Sequence, residues 1–131
     1  MTIRRDWLVC GVSVLLLVLA CGSDDDSGSE AQRHGVGAIC VSDPDCTEMG
    51  QICLPFKGGY CGVADCVSDL DCPQGSACVT HDDGKNYCFL ICTDKVQCNA
   101  SRTPELEANC SANITFVSGD KSIKACVPPT G

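Results

Sequence analysis

The sequence predicts a small disulfide-rich fold: three serial four-cysteine modules with short β-hairpins and little helix. Three observations predict it. The first is spacing. Twelve cysteines form three sets: Cys40, Cys46, Cys53, Cys61; Cys66, Cys72, Cys78, Cys88; and Cys92, Cys98, Cys110, Cys126. Five residues separate the first two cysteines of every set. From second to third the gap is six, five and eleven residues; from third to fourth it is seven, nine and fifteen. The second is composition. Twelve of the 87 residues from Cys40 to Cys126 are cysteine, while large apolar residues are few and scattered. Such a chain buries too little apolar surface to offset its entropy and needs staples. The third is turn chemistry: glycine-bearing segments separate the third and fourth cysteines of each set.

Disulfides persist in oxidising compartments, so this composition implies export. Residues 1–20 read as the export signal. Arg4 and Arg5 give a positive start, and Leu8 to Ala20 run without a charge. That run is shorter than the roughly 18 residues a membrane-spanning helix needs, and it fits a signal-peptide core. It ends Val18-Leu19-Ala20-Cys21, which resembles the lipobox of bacterial lipoproteins: a branched aliphatic, a variable residue, a small residue, then cysteine. The resemblance implies that Cys21 is coupled to diacylglycerol, freed by cleavage before it, and acylated. Each buried methylene adds about 0.8 kcal/mol, so two or more chains hold a protein on a bilayer where one does not. Cysteine arithmetic agrees. Of 14 cysteines, Cys10 leaves with the signal and Cys21 is consumed by lipid, which leaves an even twelve. Gly22, in place of the Asp that retains enteric lipoproteins at the inner membrane, favours the outer membrane.

Residues 21–39 read as the lipidated cysteine and a flexible acidic tether, rich in Gly, Ser and Asp. Asp24, Asp25 and Asp26 lack the alternate spacing of calcium loops, and His34 has no ligand partner nearby. The whole chain carries a formal charge of −8; loss of two Arg and one Asp with residues 1–20 takes it to −9. That charge argues against nucleic acid, which calls for Lys and Arg.

The modules follow at residues 40–61, 62–88 and 89–131. CVSDPDC is echoed by CVSDLDC; CTDKVQC keeps the spacing but loses the Asp before its second cysteine. Ser42, Ser68 and Asp94 stand at one equivalent place, suited to capping a turn or a single helical turn. Gly50 and Gly75 precede the third cysteine by three residues, where a turn with φ > 0 is expected. Hairpins are expected at Gly58-Gly59, at Asp83-Gly84, and in ITFVSGDKSIKA at Ser118-Gly119-Asp120. Tyr60 and Tyr87 are expected to cover the adjacent disulfides. Thr103-Pro104-Glu105 predicts a short helix over 104–109. Phe89-Leu90-Ile91 reads as the seam between modules two and three, with Phe56 exposed on the first hairpin.

Spacing leaves the pairing open, since four cysteines allow three connectivities. The pattern resembles the N-terminal cysteine-rich domain of Dickkopf proteins, and more closely the repeats of cysteine-rich lipoproteins of myxobacteria. In the Dickkopf unit the first cysteine pairs with the third and the second with the fourth. By position the resemblance implies Cys40–Cys53, Cys46–Cys61, Cys66–Cys78, Cys72–Cys88, Cys92–Cys110 and Cys98–Cys126. A bridge closing a loop of about 15 residues stabilises by ~3 kcal/mol in the chain-entropy model.

The residues offer little catalytic chemistry. Structural zinc sites place cysteines two to four residues apart, not five, and C-x-x-C redox pairs are missing. His81-Asp82-Asp83, the sole His–carboxylate cluster, reads as the polar tip of the second hairpin. Asp43 with Asp45 and Asp69 with Asp71 are the residual calcium candidates; capping beside a disulfide is the preferred reading. Asn99-Ala100-Ser101 and Asn113-Ile114-Thr115 match a glycosylation triplet that occurs often by chance. No catalytic residue, metal or cofactor is expected. The expectation is a non-enzymatic, envelope-exposed binding or adhesion protein. It would be held on the membrane through Cys21 and would engage an unidentified extracellular or periplasmic protein or glycan. A small protease inhibitor using Lys57 or Lys85, and a structural envelope spacer, are the alternatives.

Overall fold

A computed structural model describes residues 35–48 and 50–130. The segment expected to be a signal peptide, residues 1–20, together with Cys10, Cys21, the Asp24–Asp26 run and His34, lies outside the described residues. No helix among the described residues is long and apolar enough to cross a membrane.

The fold is small, rich in disulfides and antiparallel sheet, and poor in helix. Six bonds join Cys40–Cys53, Cys46–Cys61, Cys66–Cys78, Cys72–Cys88, Cys92–Cys110 and Cys98–Cys126. They link first to third and second to fourth within each set, the same pairs that the Dickkopf likeness implies. The third and fourth cysteines lie opposite each other on paired strands every time. In set one, β1 (Ile52–Leu54) pairs with β2 (Tyr60–Gly62), with Cys53 opposite Cys61. In set two, β3 (Ser76–Thr80) pairs with β4 (Asn86–Cys92), with Cys78 opposite Cys88. In set three, β5 (Asn109–Ser111) pairs with β7 (Lys124–Val127), with Cys110 opposite Cys126.

The first two hairpins turn where the glycines predict. Gly59 has φ +67°, and a Cβ there would stand 2.0 Å from the Cys40 carbonyl oxygen, so only glycine fits. The third hairpin is a correction. β6 (Thr115–Phe116) does not pair with the strand that follows Ser118-Gly119-Asp120. It crosses instead to the free edge of β3, placing Val79 opposite Phe116. The reason is burial and edge satisfaction. Phe116 enters the core, while β6 takes up the open hydrogen-bonding edge of β3. The predicted helix over 104–109 is a second correction. Only a 3-10 turn forms, Pro104–Leu106, because the chain must be extended by Asn109 to pair with β7. The helical turn of set three is α1 (Lys95–Cys98), inside CTDKVQC.

Bonds stay within sets, but the sheet does not. Its order is β5-β7-β4-β3-β6. β4 runs through the boundary between modules two and three: Asn86 to Leu90 pair with β3, and Ile91 and Cys92 pair with β7. A single core is shared by all three sets. Leu54 and Tyr60 come from the first, Val79 and Tyr87 from the second, and Phe89, Phe116 and Ala125 from the third. Separate small clusters surround the cysteines of each set. The Tyr60 hydroxyl, fully buried, donates to the Cys126 carbonyl and accepts from the Leu90 N–H, at 3.2 and 3.0 Å. This tyrosine thus ties set one to β4 and β7. Phe56 is also corrected. Its ring meets Tyr60, His81, Tyr87 and Phe89 edge to face, at centroid distances of 5.0 to 6.3 Å.

The tether ends earlier than residue 39. Val36 and Ala38 are buried, and the Gly37 N–H donates to the Cys61 carbonyl while the Cys61 N–H donates to Ala38. These residues form a short pairing against β2, because two apolar side chains there find cover over Tyr60 and the first disulfide pair.

Candidate functional site

The repeated element is the loop between first and second cysteines. Ser42 and Ser68 begin 3-10 turns, Asp43–Asp45 and Asp69–Asp71. Each aspartate has a separate task. The Asp45 carboxylate accepts the N–H groups of Val41 and Ser42 at 2.8 and 3.0 Å; Asp71 does the same for Val67 and Ser68 at 2.9 and 3.0 Å. These backbone donors hold both carboxyls below the usual aspartate range. Asp43 accepts the N–H of Cys53 at 2.9 Å, and Asp69 that of Cys78 at 2.8 Å, clipping the loop onto the third-cysteine strand. The two carboxylates proposed from sequence as a calcium pair are thus both engaged by backbone donors. In set three, Gln97 takes the capping task through the Thr93 N–H at 2.8 Å, and Asp94 caps α1 through the Gln97 N–H at 3.1 Å. Lys95 stands where the clip aspartate would be and pairs with Glu107. The loops leave Val41, Val67, Leu70 and Val96 more than 70% exposed on their outer surface.

In each set three cysteine sulfurs lie within 4.8 Å of one another, for example those of Cys66, Cys72 and Cys88. This closeness comes from stacked disulfides. A bonded sulfur is not a thiolate, so as oxidised the trios are not metal ligand sets.

Arg102 was invisible to sequence reasoning. It is buried, and its guanidinium donates to the carbonyls of Gly59, Lys57 and Leu106 at 3.0, 2.8 and 2.6 Å, with Gly37 at 3.4 Å. It also lies over the Tyr60 ring at 5.9 Å. Set three therefore grips the first hairpin through one planar fork of donors. Burial lowers its affinity for the proton, while the carbonyls satisfy the charge. The sequence carried a single faint sign, an arginine inside the lengthened loop between the second and third cysteines of set three.

The second hairpin tip differs from expectation. His81 is not its polar tip; it is 8% exposed, with centroids 5.0 Å from Phe56 and 6.0 Å from Tyr87. Its Nδ1 is buried without a hydrogen bond, 3.6 Å from Asp83 Oδ1. Asp83 accepts the Lys85 N–H and the Tyr87 hydroxyl, at 2.9 and 2.7 Å, which hold its carboxyl low. Desolvation, reinforced by that carboxylate, pushes the Tyr87 hydroxyl up to about 12. Lys57 and Lys85 sit on the two tips. The Lys57 N–H donates to Pro129 and its carbonyl accepts from Arg102; the Lys85 carbonyl accepts from the His81 N–H.

Two concavities flank this frame. An apolar groove of about 640 Å³ runs between sets one and three, lined by Ile39, Val41, Gly58 and Leu106. A polar cleft of about 190 Å³ lies where the end of β3 meets the crossover from β5 to β6. Comparison with known proteins finds no matching family model, no similar curated protein and no similar solved structure.

Proposed function

We propose that this protein is a lipid-anchored, envelope-exposed, non-enzymatic binding module. The observation that carries the reading is where the cysteines fall. Twelve are consumed in bonds within their own sets, and the remaining two are Cys10, inside the apolar run, and Cys21, which ends it. A thiol at the end of a signal sequence, beside a fold that needs no partner for it, suits acylation. The rigid frame supports the binding half of the reading. Loops fixed by bonds and by Arg102 lose little freedom on meeting a ligand, which lowers the cost of binding.

The test is Cys21→Ser, read by mass and by membrane fractionation. The expected product is unlipidated and either unprocessed or released from the membrane. Unchanged mass and anchoring would sink the proposal.

Protease inhibition by Lys57 or Lys85 is the second reading, and the exposed, rigid lysine tips favour it. Against it, the carbonyl of each lysine is already bonded inside the protein, whereas a serine protease must receive that carbonyl in its oxyanion hole. Absence of trypsin inhibition by the oxidised protein would remove the reading.

A further inference from the structure

We propose that the cleft beside His81 binds a neutral polyhydroxyl ligand, the terminal ring of a glycan. This rests on the reading of the chain as a binding module and names its ligand class. The cleft brings His81 and Asp82, at the end of β3, against Asn109 and Ser111 of β5, and Asn113 and Ile114 of the crossover. These residues are far apart in sequence and come from two disulfide sets. Only the sheet order, which carries the chain from the β5 edge round to the β6 edge, puts them together.

The chemistry selects the class. Asn109 and Asn113 each offer an amide donor and an acceptor. Asp82 offers a carboxylate, and none of these three side chains is bonded among the described residues. A vicinal diol presents donors and acceptors at the same close spacing. No lysine or arginine lines the cleft, so it does not suit an anion. One carboxylate is too few for calcium, which takes six to eight oxygen ligands. The volume of about 190 Å³ lies below the roughly 300 Å³ where sites for drug-sized ligands begin, which suits one ring or the end of a chain.

His81 supplies the independent sign. A histidine at a hairpin end belongs in water, yet this one is 8% exposed with a nitrogen left unbonded. Burying a polar group without a hydrogen bond is costly, and the orphaned atom, Nδ1, is turned toward Asp83, away from the lining of the cleft. Asp83 faces Nδ1 across 3.6 Å. Nε2 has no hydrogen bond among the described residues. Phe56, Tyr87 and Phe89 wall the ring and hold its angle. A rigid imidazole, two amides and a carboxylate around a small opening form a site ready for hydroxyl groups.

The experiment titrates the full, oxidised chain in a detergent free of sugar with glucose, galactose, mannose and N-acetylglucosamine. NMR would follow the Asn109 and Asn113 side-chain amides and the His81 ring. At least one sugar should give saturable shifts at these three residues in the millimolar range. Asp82→Ala with Asn113→Ala should weaken that binding at least tenfold with an unchanged melting temperature. His81→Phe, which keeps the aromatic packing, should weaken it similarly. No saturable shift with any of the four sugars, or equal binding by both variants, overturns the proposal. Either outcome leaves the Cys21→Ser result untouched, so failure here is separable from failure of the anchoring reading.

Discussion

The first loops of sets two and three have the same length and the same order of disulfide pairing, yet they are fastened differently. In CVSDLDC, Asp71 caps the turn and Asp69 reaches across to the Cys78 N–H. In CTDKVQC, a neutral amide on Gln97 does the capping, and Lys95 replaces the reaching carboxylate. The geometry survives the loss of both aspartates because the work needs only an acceptor at one place and the disulfides supply the rest. What changes is the means of attachment. Set two is clipped to its own strand. Set three is held to its neighbours instead, by β6 on β3 and by Arg102 on the first hairpin.

The largest effect should come from the bridges, and it should follow loop length. Cys98–Cys126 spans 28 residues and Cys66–Cys78 spans 12. Paired Cys→Ser replacement should cost about 3.5 kcal/mol at the first and about 3 kcal/mol at the second in the chain-entropy model. Urea midpoints at constant slope would measure this. A much larger loss at Cys66–Cys78 would mean that the clip in set two depends on its disulfide.

Arg102→Met comes next. It removes the fork and strands the carbonyls of Lys57, Gly59 and Leu106 while keeping much of the stem. The expected loss is about 3 kcal/mol, since each buried group left unpaired costs about 1–3 kcal/mol and water reaches some of them. Lys85→Met, at an exposed tip, should stay within about 0.5 kcal/mol. A small effect at Arg102 would show that β6 alone secures set three.

The clip itself is tested by Asp69→Ala against Lys95→Ala. The first leaves the partly buried Cys78 N–H unpaired and should cost about 1–2 kcal/mol. The second removes a surface ion pair and should cost at most about 0.5 kcal/mol. Equal losses would erase the distinction between the two loops.

What the sequence could reveal divides along the same line. The C-x5-C unit, the turn-capping residues and the first two hairpins are local, so spacing and turn chemistry expose them. The pairing came from likeness, not from spacing. The third hairpin failed because Thr115-Phe116 has the look of a strand, but nothing in it names β3 as its partner. Val36 and Ala38 were lost in a Gly-rich stretch because their cover comes from residues some 25 positions later. His81 reads as a polar hairpin tip, and Arg102 stands in no recognisable pattern. Their burial depends on contacts between sets, which no local pattern encodes. The cleft was illegible for the same reason: its residues meet only once the crossover is drawn.

The smallest and sharpest test is pH. Asp45 and Asp71 are held below the usual aspartate range by two backbone N–H groups each. A carboxyl whose pKa falls on folding binds its proton more tightly in the unfolded chain. Its contribution is therefore complete above the unfolded pKa of about 3.9 and fades as pH drops through the lower, folded value. The melting temperature should be level down to about pH 4 and fall below it. Asp83, Glu105 and Asp120 are held low as well and add to the slope. Asp71→Asn should flatten the acid limb by removing one group that titrates on unfolding. Gln97→Glu should steepen it, because a carboxylate would then cap the third loop through the Thr93 N–H as Asp45 and Asp71 cap theirs. If Gln97→Glu leaves the acid limb unchanged, the two caps are not equivalent, and the likeness between the loops ends at their spacing.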